Sequence, residues 1–124
     1  MNRIITPEEY LKKPKNSKYR NKKIINQHGV FDSKKEANRY AELALLERAG
    51  MISDLKRQIK YELIPAQFDK QGRHIERSVT YIADAVYTEN GKTIVEDTKG
   101  LKTDAYIMKR KLMLHIHGIK LRET

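Results

Sequence analysis

Three charged residues at the end of a predicted strand are of types that could perform phosphoryl chemistry. Asp97 and Lys99 stand two positions apart in VEDTKG, which closes the strand-like segment KTIVEDTK. Because side chains alternate between the two faces of a strand, these two share one face, whereas Glu96 points to the other. A carboxylate can hold a divalent cation, and an ammonium group can stabilise charge on a phosphate. A salt-bridged strand end has the same three letters, so the pattern by itself does not decide between the two.

A hairpin supplies the second acid. Asn90-Gly91 is a strong signal for a two-residue β-turn, and such a loop places Asp84 directly opposite Asp97, with Cβ atoms roughly 5 Å apart. Like charges in that arrangement destabilise a sheet, whereas a divalent cation between the two carboxylates turns their repulsion into a net attraction through the ion. Mg²⁺ or Mn²⁺ suits two hard carboxylates, and either ion activates a bound water. The cluster therefore predicts metal-dependent phosphodiester hydrolysis, with Lys99 as the catalytic cation.

The elements that position this cluster follow from periodicity and turn signals. Ser33 is a predicted helix cap and Gly50 a helix stop, and apolar residues alternate along 79–87 with both faces apolar enough for a central strand. The predicted order is helix, three antiparallel strands, helix and strand, over 33–50, 59–63, 79–87, 93–99, 103–116 and 119–122. The strand–helix–strand succession implies a parallel crossover. The predicted fold is α/β, with a mixed four-stranded sheet (an antiparallel meander plus one parallel strand) flanked by helices.

Composition restricts the class of protein. The chain has 124 residues, no Cys, and a net charge of +10. One domain is expected over 31–124, preceded by a basic helix and arm over 1–30. Disulfides and Cys-ligated zinc are excluded, and no apolar run is long enough to span a membrane. We expect a soluble, cytoplasmic protein without a membrane partner.

The positive charge lies at the two ends. Residues 1–35 contain ten Lys or Arg against three acids, and residues 99–122 contain seven against one. This distribution favours a nucleic acid as the partner. The candidate DNA contacts are Lys18, Tyr19, Arg20, Lys22, Lys23, Lys102, Thr103 and Lys109. A solvated tail and a solvated helix face are the alternative interpretations of these two segments.

The residues also resemble a known superfamily. Asp84 followed across a hairpin by Asp97-x-Lys99 resembles the PD-(D/E)XK nucleases, with Ala83 in place of the motif's Pro. The segments SKYRNKK, GVFDSKKEANRYAELALLERAG and YIADAVYTENGKTIVEDTKGLKT resemble small phage and prophage proteins placed in that superfamily. The resemblance implies a restriction-endonuclease-like core and a location in the bacterial host. It also implies Glu36 as a third catalytic and metal-binding acid, although Ser33-x-x-Glu36 is equally a capping box.

The predicted function is a Mg²⁺- or Mn²⁺-dependent DNA endonuclease with Asp84, Asp97 and Glu36 as metal ligands. Branched DNA, as cut by a Holliday-junction resolvase, is one substrate that the resemblance leaves open. A homodimer is a further expected partner in that case, because a resolvase cuts two strands symmetrically. The alternative is a DNA-binding module on a nuclease-like fold that does not cleave. Gln58 is either a polar residue at a strand start or a neighbour of the metal site.

Overall fold

The computed structural model describes residues 23–124. No helix in this part of the chain has the length and apolarity needed to cross a membrane. Within residues 23–124, eight strands and two helices follow one another: β1 Ile24–Asn26, β2 Gly29–Phe31, α1 Lys34–Arg48, β3 Ser53–Ile64, β4 Gln67–Phe68, β5 His74–Glu76, β6 Val79–Glu89, β7 Lys92–Asp97, α2 Asp104–His117 and β8 Arg122–Glu123.

The central sheet has four strands in the order β3-β6-β7-β8. Strands β3, β6 and β7 form an antiparallel meander, and β8 runs parallel to β7 after the α2 crossover. This confirms the predicted α/β class and the mixed four-stranded sheet. The last strand is shorter and later than predicted, because Leu121 is buried in the core and only Arg122 and Glu123 pair with β7.

The hairpin between β6 and β7 has the predicted register. Glu89 pairs with Lys92, and the ladder continues to Ala85 opposite Glu96. Asn90 and Gly91 both have positive φ, 51° and 77°, as a two-residue type I′ turn requires. The ladder ends at this pair, and Asp84 and Asp97 are the next residues outward on the two strands.

The two helices cover opposite faces of the sheet. Leu43 of α1 packs in one buried cluster and Met113 of α2 packs in the other. The α1 cluster contains Leu43, Ile52, Ala85 and Tyr87, and the α2 cluster contains Leu63, Tyr81, Ala83, Val95, Tyr106, Met113 and Leu121. On β7, Ile94 packs against the α1 cluster and the next residue, Val95, belongs to the α2 cluster, as expected when successive side chains point to opposite faces.

Strand β6 changes the face that it presents at Asp84. Ala83 belongs to the α2 cluster and Ala85 to the α1 cluster, although the two positions have the same strand parity. Burial alternates along 79–87 as predicted, but the buried residues before and after Asp84 belong to different clusters. Gln58 lies opposite Asp84 in the register, between the Arg57–Ala85 and Ile59–Ala83 pairs, and has a φ of 52°. This left-handed residue interrupts the regular pleat beside Asp84.

Two short hairpins were not predicted. Strands β1 and β2 form one, and β4 and β5 form another around the predicted polar turn. The first is held by Arg57, whose guanidinium stacks on Phe31 at 3.9 Å and donates a 2.7 Å hydrogen bond to the carbonyl of Val30. Strand β3 is also longer than the predicted 59–63, since Arg57 and its neighbours extend it back to Ser53.

Candidate functional site

Asp97 is a fully buried carboxylate at the end of β7. Its side chain is 0% exposed, and its Oδ2 accepts a hydrogen bond from the hydroxyl of Tyr81. Its Oδ1 lies 3.5 Å from Nζ of Lys99 and has no hydrogen-bond partner among the described residues. A buried carboxylate oxygen without a hydrogen bond is unusual, because leaving such an atom unsatisfied is costly. The free oxygen of Asp97 therefore needs a physical explanation.

Asp84 is the second acid of the cluster. Its Oδ2 accepts a 2.8 Å hydrogen bond from the backbone N–H of Thr98. Its carboxyl group is within hydrogen-bonding reach of Asp97, as predicted from the hairpin register. Burial, then the contact with Asp97 and the charge of Glu36, raise the pKa of Asp84 to about 8. Burial and the contact with Asp97 thus disfavour the ionised form of Asp84 when no cation is present.

Glu36 joins the cluster from the first turn of α1. Its carboxyl is half-buried and within hydrogen-bonding reach of Asp84. Burial raises the pKa of Glu36, while the contact with Asp84 lowers it. The helix cap is formed by Oγ of Ser33, which accepts a 3.1 Å hydrogen bond from the backbone N–H of Glu36. The backbone of Glu36 therefore completes the cap while its side chain faces Asp84.

Lys99 is held on the side of the sheet that α2 covers. Its Nζ lies 5.1 Å from the ring centroid of Tyr106, and its side chain is 35% exposed. Its carbonyl accepts a 3.2 Å hydrogen bond from Nζ of Lys35 on α1. The ammonium group of Lys99 thus contacts the buried Asp97 and solvent at the same time.

Glu96 lies on the α1 face, away from Lys99, as expected. It is 1% exposed and accepts two hydrogen bonds from Arg39, at 2.8 and 2.9 Å. The hydroxyl of Tyr87 donates a third at 2.6 Å. Protein groups thus donate all three hydrogen bonds to the carboxylate of Glu96, which is held in an ion pair with Arg39.

The residues proposed to contact DNA have varied surroundings. Lys18, Tyr19, Arg20 and Lys22 lie outside the described residues. Lys23 is exposed and pairs with Asp32 at 3.0 Å, and Lys102 lies 3.5 Å from Oε1 of Glu123. Thr103 caps α2 by accepting a hydrogen bond from the N–H of Tyr106, and Lys109 is partly exposed on the same helix.

The donor set can be compared with the needs of a divalent cation. Across residues 23–124, no group of three or more His, Asp or Glu side chains is arranged to hold a metal. Mg²⁺ usually keeps several waters and is bound by one or two carboxylates together with substrate phosphate. Asp84 and Asp97, with the free Oδ1 of Asp97, fit that smaller requirement. Glu36, within hydrogen-bonding reach of Asp84, is a third carboxylate beside this pair.

Several residues around the cluster were missed in the sequence. Tyr81 was assigned only to the apolar alternation of its strand, yet its hydroxyl binds Asp97. The sequence assigned no role to Lys35 or Arg39. Their partners, Lys99 and Glu96, are 64 and 57 positions away, and no local pattern reports contacts at that separation. A Tyr at an otherwise apolar position was the one available signal.

Comparison with known proteins gives a family and no activity. A family model described as a protein of unknown function (DUF1064) matches residues 16–123. The chain belongs to the DUF1064 family. The matched region includes Glu36, Asp84, Asp97 and Lys99, so the cluster is part of the family domain. No curated protein and no solved structure matches the chain significantly.

Proposed function

We propose that this DUF1064 protein is a metal-dependent DNA endonuclease of the PD-(D/E)XK type. The observation that carries the proposal is the contact between Asp84 and Asp97, with Lys99 beside the unbonded Oδ1 of Asp97. Two acids in contact repel one another at neutral pH unless a proton or a cation lies between them. A cation that replaced this proton would interact with both acids, and their contact therefore supports a cation site here.

Asp84 and Asp97 would hold Mg²⁺ or Mn²⁺, with Glu36 as the third carboxylate beside them. When bound, such an ion lowers the pKa of a coordinated water and withdraws charge from a phosphate oxygen. The N–H of Thr98 fixes the carboxylate of Asp84, and the hydroxyl of Tyr81 fixes that of Asp97. These two hydrogen bonds orient the ligand oxygens before any substrate arrives.

Lys99 supplies the catalytic charge. Its ammonium group touches Asp97 and is partly open to solvent, so it can reach a phosphate that enters from outside. There it would stabilise the negative charge that develops on the phosphate as water attacks. The contact with Tyr106 and the backbone bond from Lys35 hold Lys99 in place.

Described residues from both basic segments of the chain lie beside this site. The bond from Lys35 to the carbonyl of Lys99 joins the basic segment 1–35 to the basic segment 99–122. The described chain begins at Lys23, whose partner Asp32 directly precedes the cap of α1. A polyanion is the partner that such a distribution favours.

Cleavage of supercoiled plasmid and of a four-way junction tests the proposal. Wild type, Asp97→Ala and Asp69→Asn would be purified in parallel and assayed with Mg²⁺, Mn²⁺ or EDTA. Asp69 lies in the β4–β5 turn and controls for the loss of a carboxylate elsewhere. We expect cutting by wild type and Asp69→Asn with metal only, and none by Asp97→Ala. Equal cutting by all three proteins would show contamination and reject the proposal.

The second candidate is a DNA-binding module that does not cleave. The complete burial of Asp97 beneath Tyr81 and Lys99 favours it, because a metal ion must reach that carboxylate. Binding of DNA by wild type without cleavage under any metal condition would support the module. The junction and plasmid substrates also separate branched from linear DNA as the target, and sedimentation of the active species tests for a homodimer.

A further inference from the structure

The partly exposed Arg39 and the buried Glu96 form an ion pair that links the two elements carrying the proposed ligands. Arg39 lies on α1, one turn after Glu36, and Glu96 directly precedes Asp97 on β7. The pair is bidentate, with Nε of Arg39 2.8 Å from Oε2 of Glu96 and Nη2 2.9 Å from Oε1. It is the direct polar bridge, within the described residues, between the side chains of α1 and β7.

The geometry of this bridge is specific. A guanidinium and a carboxylate joined by two parallel hydrogen bonds fix both distance and angle, which a single contact does not. The hydroxyl of Tyr87 donates to the same Oε1 of Glu96 and accepts a hydrogen bond from Nη1 of Arg122. The Nη2 atom of Arg122 in turn donates to Oε1 of Glu89. The carboxylate of Glu96 is therefore anchored within the sheet, and Arg39 docks the helix onto it.

The ion pair lies beside the acids. Glu36, Arg39, Asp84 and Glu96 line one small cleft between α1 and the sheet. A shift of α1 relative to β7 would change the separation of Glu36 from Asp84. A buried ion pair adds little net stability over an apolar pair of similar volume, so its presence here is explained better by geometry than by stability.

We propose that the Arg39–Glu96 pair is a positioning device for the metal-binding acids, setting the distance between Glu36 on α1 and Asp84 and Asp97 on the sheet. This inference rests on the proposed function, because it concerns the same acids. Arg39 and Glu96 do not touch the substrate in this account. They act through Glu36 and Asp97, their neighbours on the same helix and strand.

Metal affinity measured without DNA tests the inference. Mn²⁺ binding would be followed by electron paramagnetic resonance for wild type, Arg39→Lys, Glu96→Gln and Glu42→Gln. Glu42 is the matched control, because it bonds Nη1 of Arg39 at 3.0 Å on the surface and is 64% exposed. We expect Mn²⁺ affinity to fall roughly tenfold in the first two variants and to remain within about twofold in Glu42→Gln.

Two further variants separate positioning from simple loss of stability. Ile52→Val trims the α1 cluster and lowers stability without touching the ion pair. The double variant Arg39→Gln with Glu96→Gln avoids a lone buried charge and still allows an amide hydrogen bond. Each would be assayed well below its melting temperature. We expect Ile52→Val to bind Mn²⁺ as wild type does, and the double variant to bind weakly although it is folded.

Kinetics add a second readout. If the pair positions the metal ligands, kcat for DNA cleavage falls in Arg39→Lys while KM for DNA stays within about twofold. Unchanged Mn²⁺ affinity and kcat in folded Arg39→Lys and in the double variant would overturn the inference while the proposed function stands. Failure of wild type to bind Mn²⁺ would overturn both, and the wild-type measurement alone distinguishes that case.

Discussion

The ammonium group of Lys99 lies 3.5 Å from Oδ1 of Asp97, and that oxygen accepts no hydrogen bond from any described residue. The other oxygen of Asp97 is bound by Tyr81. One oxygen of a fully buried carboxylate thus accepts a hydrogen bond from Tyr81, while the other lies near the ammonium group of Lys99, with the carboxyl group of Asp84 close by. This asymmetry is what a ligand oxygen needs, since a hydrogen bond to Oδ1 would compete with a metal ion.

Replacing Asp84 by Asn should reduce the dependence of stability on pH. The pKa of Asp84 rises from 3.8 to about 8 on folding, so the folded protein keeps a proton that the unfolded chain releases. Wild type therefore loses stability as pH rises through this window, whereas the amide does not. Between about pH 4 and pH 8, the free energy of unfolding of Asp84→Asn should rise relative to that of wild type by at least about 1.4 kcal/mol, the equivalent of one pKa unit.

Urea denaturation with EDTA at a series of pH values measures this difference. Asp69→Asn serves as a control of opposite sign, because hydrogen bonds from the backbone of Arg73 and Gln71 lower the pKa of Asp69. The ionised Asp69 therefore stabilises the folded protein, and wild type should lose this stabilisation only as the pH falls into the acid range. Parallel curves for wild type and Asp84→Asn would show that Asp84 ionises normally.

Tyr81→Phe should destabilise the protein by about 1–3 kcal/mol, since it removes the donor to a buried carboxylate oxygen. Tyr61→Phe is the matched control: Tyr61 is the cross-strand partner of Tyr81, and its hydroxyl makes no hydrogen bond within residues 23–124. Thermal unfolding of the two variants in EDTA gives the comparison. Equal losses of stability would mean that the hydroxyl of Tyr81 does not support Asp97.

Ser33→Ala and Glu36→Gln should separate the two roles of the capping segment. Ser33→Ala removes the side-chain acceptor of the cap and should cost about 1 kcal/mol of stability. Glu36→Gln keeps the backbone donor, so it should leave the cap intact and reduce the rise in melting temperature that Mn²⁺ produces. Thermal scans with and without Mn²⁺ measure both quantities. A normal rise in melting temperature with Mn²⁺ in Glu36→Gln would mean that Glu36 serves the helix cap only and does not bind the metal.

Gly29→Ala should be more harmful than Gly72→Ala. Both glycines have positive φ, but a Cβ at position 29 would lie 2.6 Å from Nη1 of Arg57, whereas position 72 has open space. Gly72→Ala should cost about 1 kcal/mol for the backbone alone. Gly29→Ala should cost more, because Arg57 must move off Phe31. Chemical denaturation of the two variants makes the comparison, and equal costs would mean that Arg57 relaxes freely.

The β6–β7 hairpin is the part of the fold that the sequence predicted in most detail. Asn90-Gly91 specified both the turn and its register, so the pairing of Val86 with Val95 could be predicted and was confirmed. The same register predicted that Asp84 and Asp97 would meet. Local signals were sufficient here because the two strands are joined by a two-residue loop.

The remaining features depend on distant contacts. The left-handed φ of Gln58 has no local sign in the sequence, and it accompanies the change of face at Asp84 that alternation did not predict. The β1–β2 hairpin depends on Arg57, 26 positions beyond Phe31, whose ring it covers. Residues that act across the fold are therefore the ones that the sequence did not reveal.

A pair of lysines offers the most direct test of the proposed centre. Lys99 and Lys102 each lie 3.5 Å from a carboxylate oxygen, of Asp97 and Glu123 respectively, and both are partly exposed. The measurement is the single-turnover rate of Mg²⁺-dependent plasmid cleavage by wild type, Lys99→Met and Lys102→Met at saturating enzyme. The proposed mechanism predicts a loss of roughly 100-fold or more for Lys99→Met and a near wild-type rate for Lys102→Met. Equal rates for the two variants, or no cleavage by wild type, would contradict it.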